Sequence, residues 1–130
     1  MCLRGASAVE EFLAGFKNPR LEVLVVWEPI LPTDWQKPTS GTLARISDPR
    51  AAQFWDPNHV VAREINQDSP PSAALPEPHC CQSRGFYWDM ALIYPPNAVW
   101  ATKLPSPQFR DGTVVRVTPE LAKLLPNIAK

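Results

Sequence analysis

The amino-acid sequence predicts a single α/β domain, a sandwich of helices around a sheet of mixed strand direction. Three observations carry this. Val9, Phe12, Leu13 and Phe16 recur at the i, i+3, i+4, i+7 spacing of one helical face. "LEVLVVW" (21–27) follows at once, apolar on both alternation phases, as in a strand of a parallel sheet buried on both faces. Later, "GFYWDMALIY" and "PPNAVWATKL" flank Pro95-Pro96-Asn97 in the manner of a hairpin. At 130 residues and 45% hydrophobic, the chain is long enough to bury a core in one domain, 1–130.

The first helix has two starts to choose from. Ser7 and Glu10 match a capping box, with Asn18-Pro19 as the stop. A start one turn earlier puts Cys2 at the cap and adds Ala6 to the apolar stripe, with the thiol at the positive end of the helix dipole. After the strand, "EPILPTDWQKPTSGTLARIS" is irregular, anchored by Trp27, Ile30, Leu31 and Trp35. "AAQFWD" reads as a short strand. Asp56 and Pro57 then supply the N-cap and first position of a helix through Val60, Val61, Glu64 and Ile65. Residues 66–84 carry four prolines and little hydrophobic mass, a Pro-rich loop insertion. Beyond the hairpin, "DGTVVRV" reads as a strand after an Asp-Gly turn. "TPELAKLL" closes the chain as a helix capped by Thr118, with Pro119 at its first position.

Composition excludes several classes. The formal net charge is zero and no run of like charge occurs, so no basic stripe is present for nucleic acid. No apolar stretch approaches the ~20 residues of a membrane span, and no cationic segment leads into an apolar one as in a signal peptide. The 16 prolines exceed twice the ordinary ~5% and imply short elements between stiff loops. No G-x-S-x-G turn, H-E-x-x-H spacing or phosphate-cradling glycine loop occurs. Asp56 and His59 lie one turn apart with Glu64 beyond; a capping Asp and a solvent-facing His account for them better than a ligand pair. Phe54-Trp55-Asp56 and Tyr87-Trp88-Asp89 share a pattern, but two copies do not make a repeat.

The cysteines carry the chemistry. There are three, Cys2, Cys80 and Cys81, too few for a disulfide framework and odd in number; the reading leans towards a reducing, cytoplasmic setting. In "PEPHCCQSR", His79, Cys80 and Cys81 stand consecutively. Consecutive side chains diverge, which suits zinc poorly, whereas Cu(I) accepts lower coordination, with Cys2 as a further thiolate. A vicinal disulfide between Cys80 and Cys81, closing a strained ring, is another reading, and a plain loop with one buried and one exposed cysteine is the blandest.

The order of elements resembles the thioredoxin-like fold, a three-layer sandwich with a mixed sheet, entered one strand late. "CLRGASAVEEFLAGF" looks like the second cysteine of a Cys-x-x-Cys motif and its helix, and "LEVLVVW" like the strand after it. More narrowly, "VLVVWEPILPTDW", "DPRAAQFWD" and "WDMALIYPPNAVW" resemble a bacterial group of uncharacterised thioredoxin-like proteins. The resemblance makes Cys2 the resolving thiol and places the segment holding Cys80 and Cys81 near the first helix. The attacking cysteine and the first strand have no counterpart here, and Gly85, Phe86 and Tyr87 stand where the family has a cis-proline. The expectation is therefore a start internal to a longer thiol–disulfide oxidoreductase, unable to complete the dithiol cycle as given.

Three functions compete. Thiol–disulfide exchange would engage thiol-bearing proteins or small thiols. Soft-metal binding would use Cys80 and Cys81, with Cys2 as a further thiolate and His79 as a neighbour. A structural module would present the apolar residues of "WEPILPTDW" as a contact patch. No organic cofactor is expected, and an uncovered sheet edge beside "VLVVW" predicts a homodimer.

Overall fold

The structure is a computed structural model and describes residues 2–128. It is a mixed α/β chain that divides into two compact units, Met1–Val61 and Ala62–Lys130. Its described residues form three two-stranded sheets and four helices.

In the first unit, helix α1 (Leu3–Gly15) packs on a parallel pair of strands, β1 (Val23–Trp27) and β2 (Ala51–Trp55). The register sets Val23 beside Ala51 and Trp27 beside Trp55. Leu13, fully buried, sits with Ala6, Trp27 and Ile46 at the centre of the core. Burying a leucine completely is worth about 1.5–3 kcal/mol. Of the two starts, the earlier one is adopted: Cys2 is the N-cap, its Sγ accepting the Gly5 amide at 3.3 Å. The Ser7–Glu10 capping box does not form. Ser7 donates instead to the Leu3 carbonyl, and Glu10 reaches across to the Ser47 amide and hydroxyl, at 3.0 and 2.7 Å. The longer helix wins because its first turn brings Ala6 into the core.

The expectation that β1 is buried on both faces is corrected. Val23, Val25 and Trp27 face α1, while Leu24 and Phe54 on the other side are 69% and 51% exposed. A two-stranded sheet with one helix covers one face only. The irregular segment after β1 also differs from expectation. Ile30, Leu31 and Trp35 are exposed, while Ile46 is buried with Trp27 and Leu43 packs against them. It includes a short helix, α2 (Ser40–Leu43), capped by the Thr39 hydroxyl. Gln53 joins these parts, accepting from the Trp27 indole at 2.9 Å and donating to the Leu43 and Ile46 carbonyls. Arg50 closes α1 by donating to the carbonyls of Leu13 and Phe16, which have no donor at a helix C-terminus.

The unit boundary falls within helix α3 (Val60–Asp68). Asp56 does cap it, one oxygen accepting the Val60 amide at 2.9 Å and the other that of Val61 at 2.8 Å. Pro57 is not its first residue, because Pro57 and Asn58 form a turn and His59 adopts a positive φ of 55° before the helix begins.

In the second unit, the 66–84 segment is not wholly a loop. It opens with the end of α3, and at its far end strand β3 (Gln82–Ser83) pairs with β4 (Phe86–Tyr87) in a tight hairpin. Arg84 and Gly85, at φ 52° and 80°, form a two-residue connection with both residues left-handed, which matches the twist of the strands. The hairpin expected across Pro95-Pro96-Asn97 is also corrected. Strand β5 (Met90–Ile93) pairs antiparallel with β6 (Phe109–Gly112), and residues 98–104 form no strand. Val99 is 72% exposed and Trp100 44%, so that segment has no face to cover. "DGTVVRV" is likewise not a strand. Gly112 ends β6, and helix α4 (Val114–Ile128) starts at once, its Val114 amide accepted by Asp89 Oδ1 at 3.1 Å. That distant cap displaces Thr118, which lies inside the helix, buried, with its hydroxyl on the Val114 carbonyl; Pro119 is interior too.

Candidate functional site

Cys80 and Cys81 are joined in a disulfide. Cys81 is buried at 5% exposure, while Cys80 is half-buried. The pair sits at the open end of the β3–β4 hairpin, where the Trp88 amide donates to the Cys81 carbonyl at 2.9 Å, continuing the ladder by one rung. Cys81 has a φ of 75°, a conformation that costs a non-glycine residue about 1–3 kcal/mol. Both sulfur atoms lie against Gly112. A Cβ there would stand 2.8 Å from Cys81 Sγ, 3.1 Å from Cys80 Sγ and 2.7 Å from the Asp89 carbonyl oxygen. Only glycine fits.

Asp111, next to that glycine, organises the surroundings. Its Oδ1 accepts the amides of His79 and Gly112, each at 2.9 Å. Its Oδ2 accepts from His79 Nδ1 at 2.7 Å and from the Arg116 guanidinium. Arg116 also donates to the Gly112 carbonyl through Nε at 2.9 Å. Burial alone would push the Asp111 carboxyl up, but Arg116, the two amides and the His79 ring together hold it well below the usual carboxylate range. His79 is thus pinned at both its backbone and its ring, yet its side chain is 79% exposed.

Beside Asp111 on β6, Arg110 is 4% exposed and makes no ion pair among the described residues. It donates to the Tyr87 hydroxyl at 2.7 Å and to the carbonyls of Ser69, Leu75 and Pro76, and so ties the Pro-rich segment to the sheet. Tyr87 is buried and Tyr94 half-buried, and burial pushes the Tyr94 hydroxyl up to about 12.

Cys2 is free and exposed in the first unit, its sulfur engaged by the Gly5 amide. Asp56 is a helix cap, as expected. His59 is not solvent-facing: its Nδ1 lies 3.0 Å from Glu28 Oε2, and both side chains are largely buried. Burial pushes the Glu28 carboxyl up, against the pull of His59, with the Asp56 charge adding to the rise. Among the described residues no group of three His, Cys, Asp or Glu side chains is placed to hold a metal ion. None of their helices is long and apolar enough to cross a membrane. Asp111, Arg116, Gly112 and Glu28 were not singled out by sequence. In the sequence the Asp111-Gly112 pair signals only a turn. Comparison with protein-family models, curated proteins and solved structures returns no match for this chain.

Proposed function

We propose that the chain is a thioredoxin-like domain that exchanges electrons with thiols, and that the exchange takes place at Cys80–Cys81 rather than at Cys2. The observation that carries this is the disulfide itself, with Cys80 half-buried and Cys81 buried. An incoming thiolate attacks Cys80 Sγ, on the less buried residue of the two, and the bond electrons leave on Cys81 Sγ. Cys2 can form a mixed disulfide but has no neighbouring cysteine in its own helix to release it. The order of elements supports the thioredoxin-like reading: a helix and parallel pair, then an antiparallel pair and a closing helix. Partners are thiol-bearing proteins, small thiols and small disulfides. A second reading, as an interaction module, is favoured by the exposure of Ile30, Leu31 and Trp35 at 43, 58 and 71%.

The test is exchange with a chromogenic aromatic disulfide after reduction. The Cys2→Ser variant is expected to keep two-electron turnover, and the Cys80→Ser/Cys81→Ser variant to lose it. Retained turnover in the double variant, with loss in Cys2→Ser, overturns the assignment.

A further inference from the structure

We propose that His79 handles the proton of the Cys80–Cys81 couple, with Asp111 as its positioning residue; this rests on the exchange reading above. An ionised carboxylate only accepts hydrogen bonds, so the contact between Asp111 Oδ2 and His79 Nδ1 puts the proton on Nδ1. The neutral ring then presents Nε2 as a free acceptor. Asp111 also holds the His79 backbone amide, at 2.9 Å, so the residue that carries the ring and leads directly into Cys80 is fixed at two points. Arg116 shares the same carboxylate, which keeps Asp111 ionised and its acceptor role unchanged when His79 takes a second proton. The base and its orienting carboxylate stand beside the disulfide, both of whose sulfurs lie against Gly112, the residue after Asp111; an oriented base next to a reacting sulfur activates a thiol in nucleophilic catalysis.

His79 Nε2 takes the proton of an incoming thiol as its sulfur bonds to Cys80 Sγ. The Cys80–Cys81 bond breaks and its electron pair goes to Cys81 Sγ, which receives the proton from the imidazolium. A second thiol then attacks the substrate sulfur of the mixed disulfide and releases Cys80 as a thiol. Two thiols are oxidised to one disulfide, and Cys80–Cys81 is reduced by two electrons and two protons. In the reverse direction the imidazolium favours the Cys80 thiolate, since a neighbouring cation lowers a thiol's pKa.

The experiment measures reduction of Cys80–Cys81 in the full chain carrying Cys2→Ser, by dithiothreitol and by a phosphine, from pH 5 to 9, with thiols counted by alkylation and intact mass. The comparison variant is His79→Asn, whose amide still donates to Asp111 but does not titrate. With dithiothreitol, both rates are expected to rise with pH as its thiolate forms. His79→Asn is expected to run at least tenfold slower at pH 7. The phosphine brings no proton, so its rates should agree within about twofold between the two proteins. Identical dithiothreitol profiles, or equal slowing by both reductants, overturn the role of His79 while leaving the exchange site standing. A disulfide that neither reductant opens in the folded protein overturns the exchange reading and this inference with it.

Discussion

Each unit holds one histidine paired with a carboxylate, and the two pairs behave in opposite ways. Glu28 and His59 lie 3.0 Å apart with both side chains largely buried; His79 and Asp111 lie 2.7 Å apart with the ring mostly in solvent. Burial dominates at Glu28 and pushes its carboxyl up. At Asp111 burial acts in the same direction, but two amides and an arginine outweigh it and the carboxyl goes down. A short contact with histidine therefore does not decide how a carboxylate titrates. The number of other donors aimed at it does.

Isosteric amides should break this comparison most sharply. In Asp111→Asn, one end of the amide still accepts from the His79 and Gly112 amides, but the other presents N–H groups to Arg116 and the His79 ring. The loss is expected to be on the order of 3 kcal/mol. In Glu28→Gln, the lost carboxyl is one that burial already favours in its neutral form, and the change should stay within about 1 kcal/mol. Urea unfolding of both variants checks this, and equal losses would mean that the surrounding donors do not matter.

Two glycines sharpen the comparison by packing. Gly112→Ala would force a methyl against two sulfurs and a carbonyl, and about 1–3 kcal/mol of destabilisation is expected, as for overpacking in a core. Gly15→Ala, at the end of α1, meets nothing within 4 Å and should be neutral or stabilising by up to ~1 kcal/mol. Thermal melting of the two variants is the measurement, and a stabilised Gly112→Ala would show that the sulfurs do not rest on that residue.

The smallest effect is the pH dependence, and its sign differs between the pairs. Asp111 titrates lower in the folded chain than the ordinary carboxylate value of about 3.9, so its contribution is present above that pH and is lost as the pH falls through the lower folded value. The deficit of Asp111→Asn should therefore be constant from pH 7 to 5 and shrink below about pH 4. Glu28 titrates above 4.5, so its contribution is full below that pH and is lost as the pH rises through the folded value. Glu28→Gln should gain on the unsubstituted chain over that rise. Stability measured in steps from pH 3 to 7 separates the two, and parallel curves would sink the distinction.

The legible parts of this molecule were those set by local pattern. The α1 stripe, the β1 and β2 strands and the Asp56 cap follow from side-chain period and from backbone groups satisfied a few residues away. Cys80 and Cys81 stood out as adjacent thiols, although their bonding did not follow from adjacency. The misread parts depend on distant partners. "FRDG" carries two charged residues, which pattern reading keeps out of a strand, yet Arg110 and Asp111 are buried in β6 because three carbonyls, a tyrosine hydroxyl, a histidine and an arginine meet them. Once β6 takes the edge of β5, residues 98–104 have nothing to pair with, and Asp89 starts α4 four residues ahead of Thr118. Sequence by itself determined where the chain is helical at its start, where its parallel strands lie and where its thiols are. Which charges lie inside, which strands pair and what surrounds the cysteines were decided by tertiary structure, because a buried polar group is tolerable only where the folded chain supplies its partners.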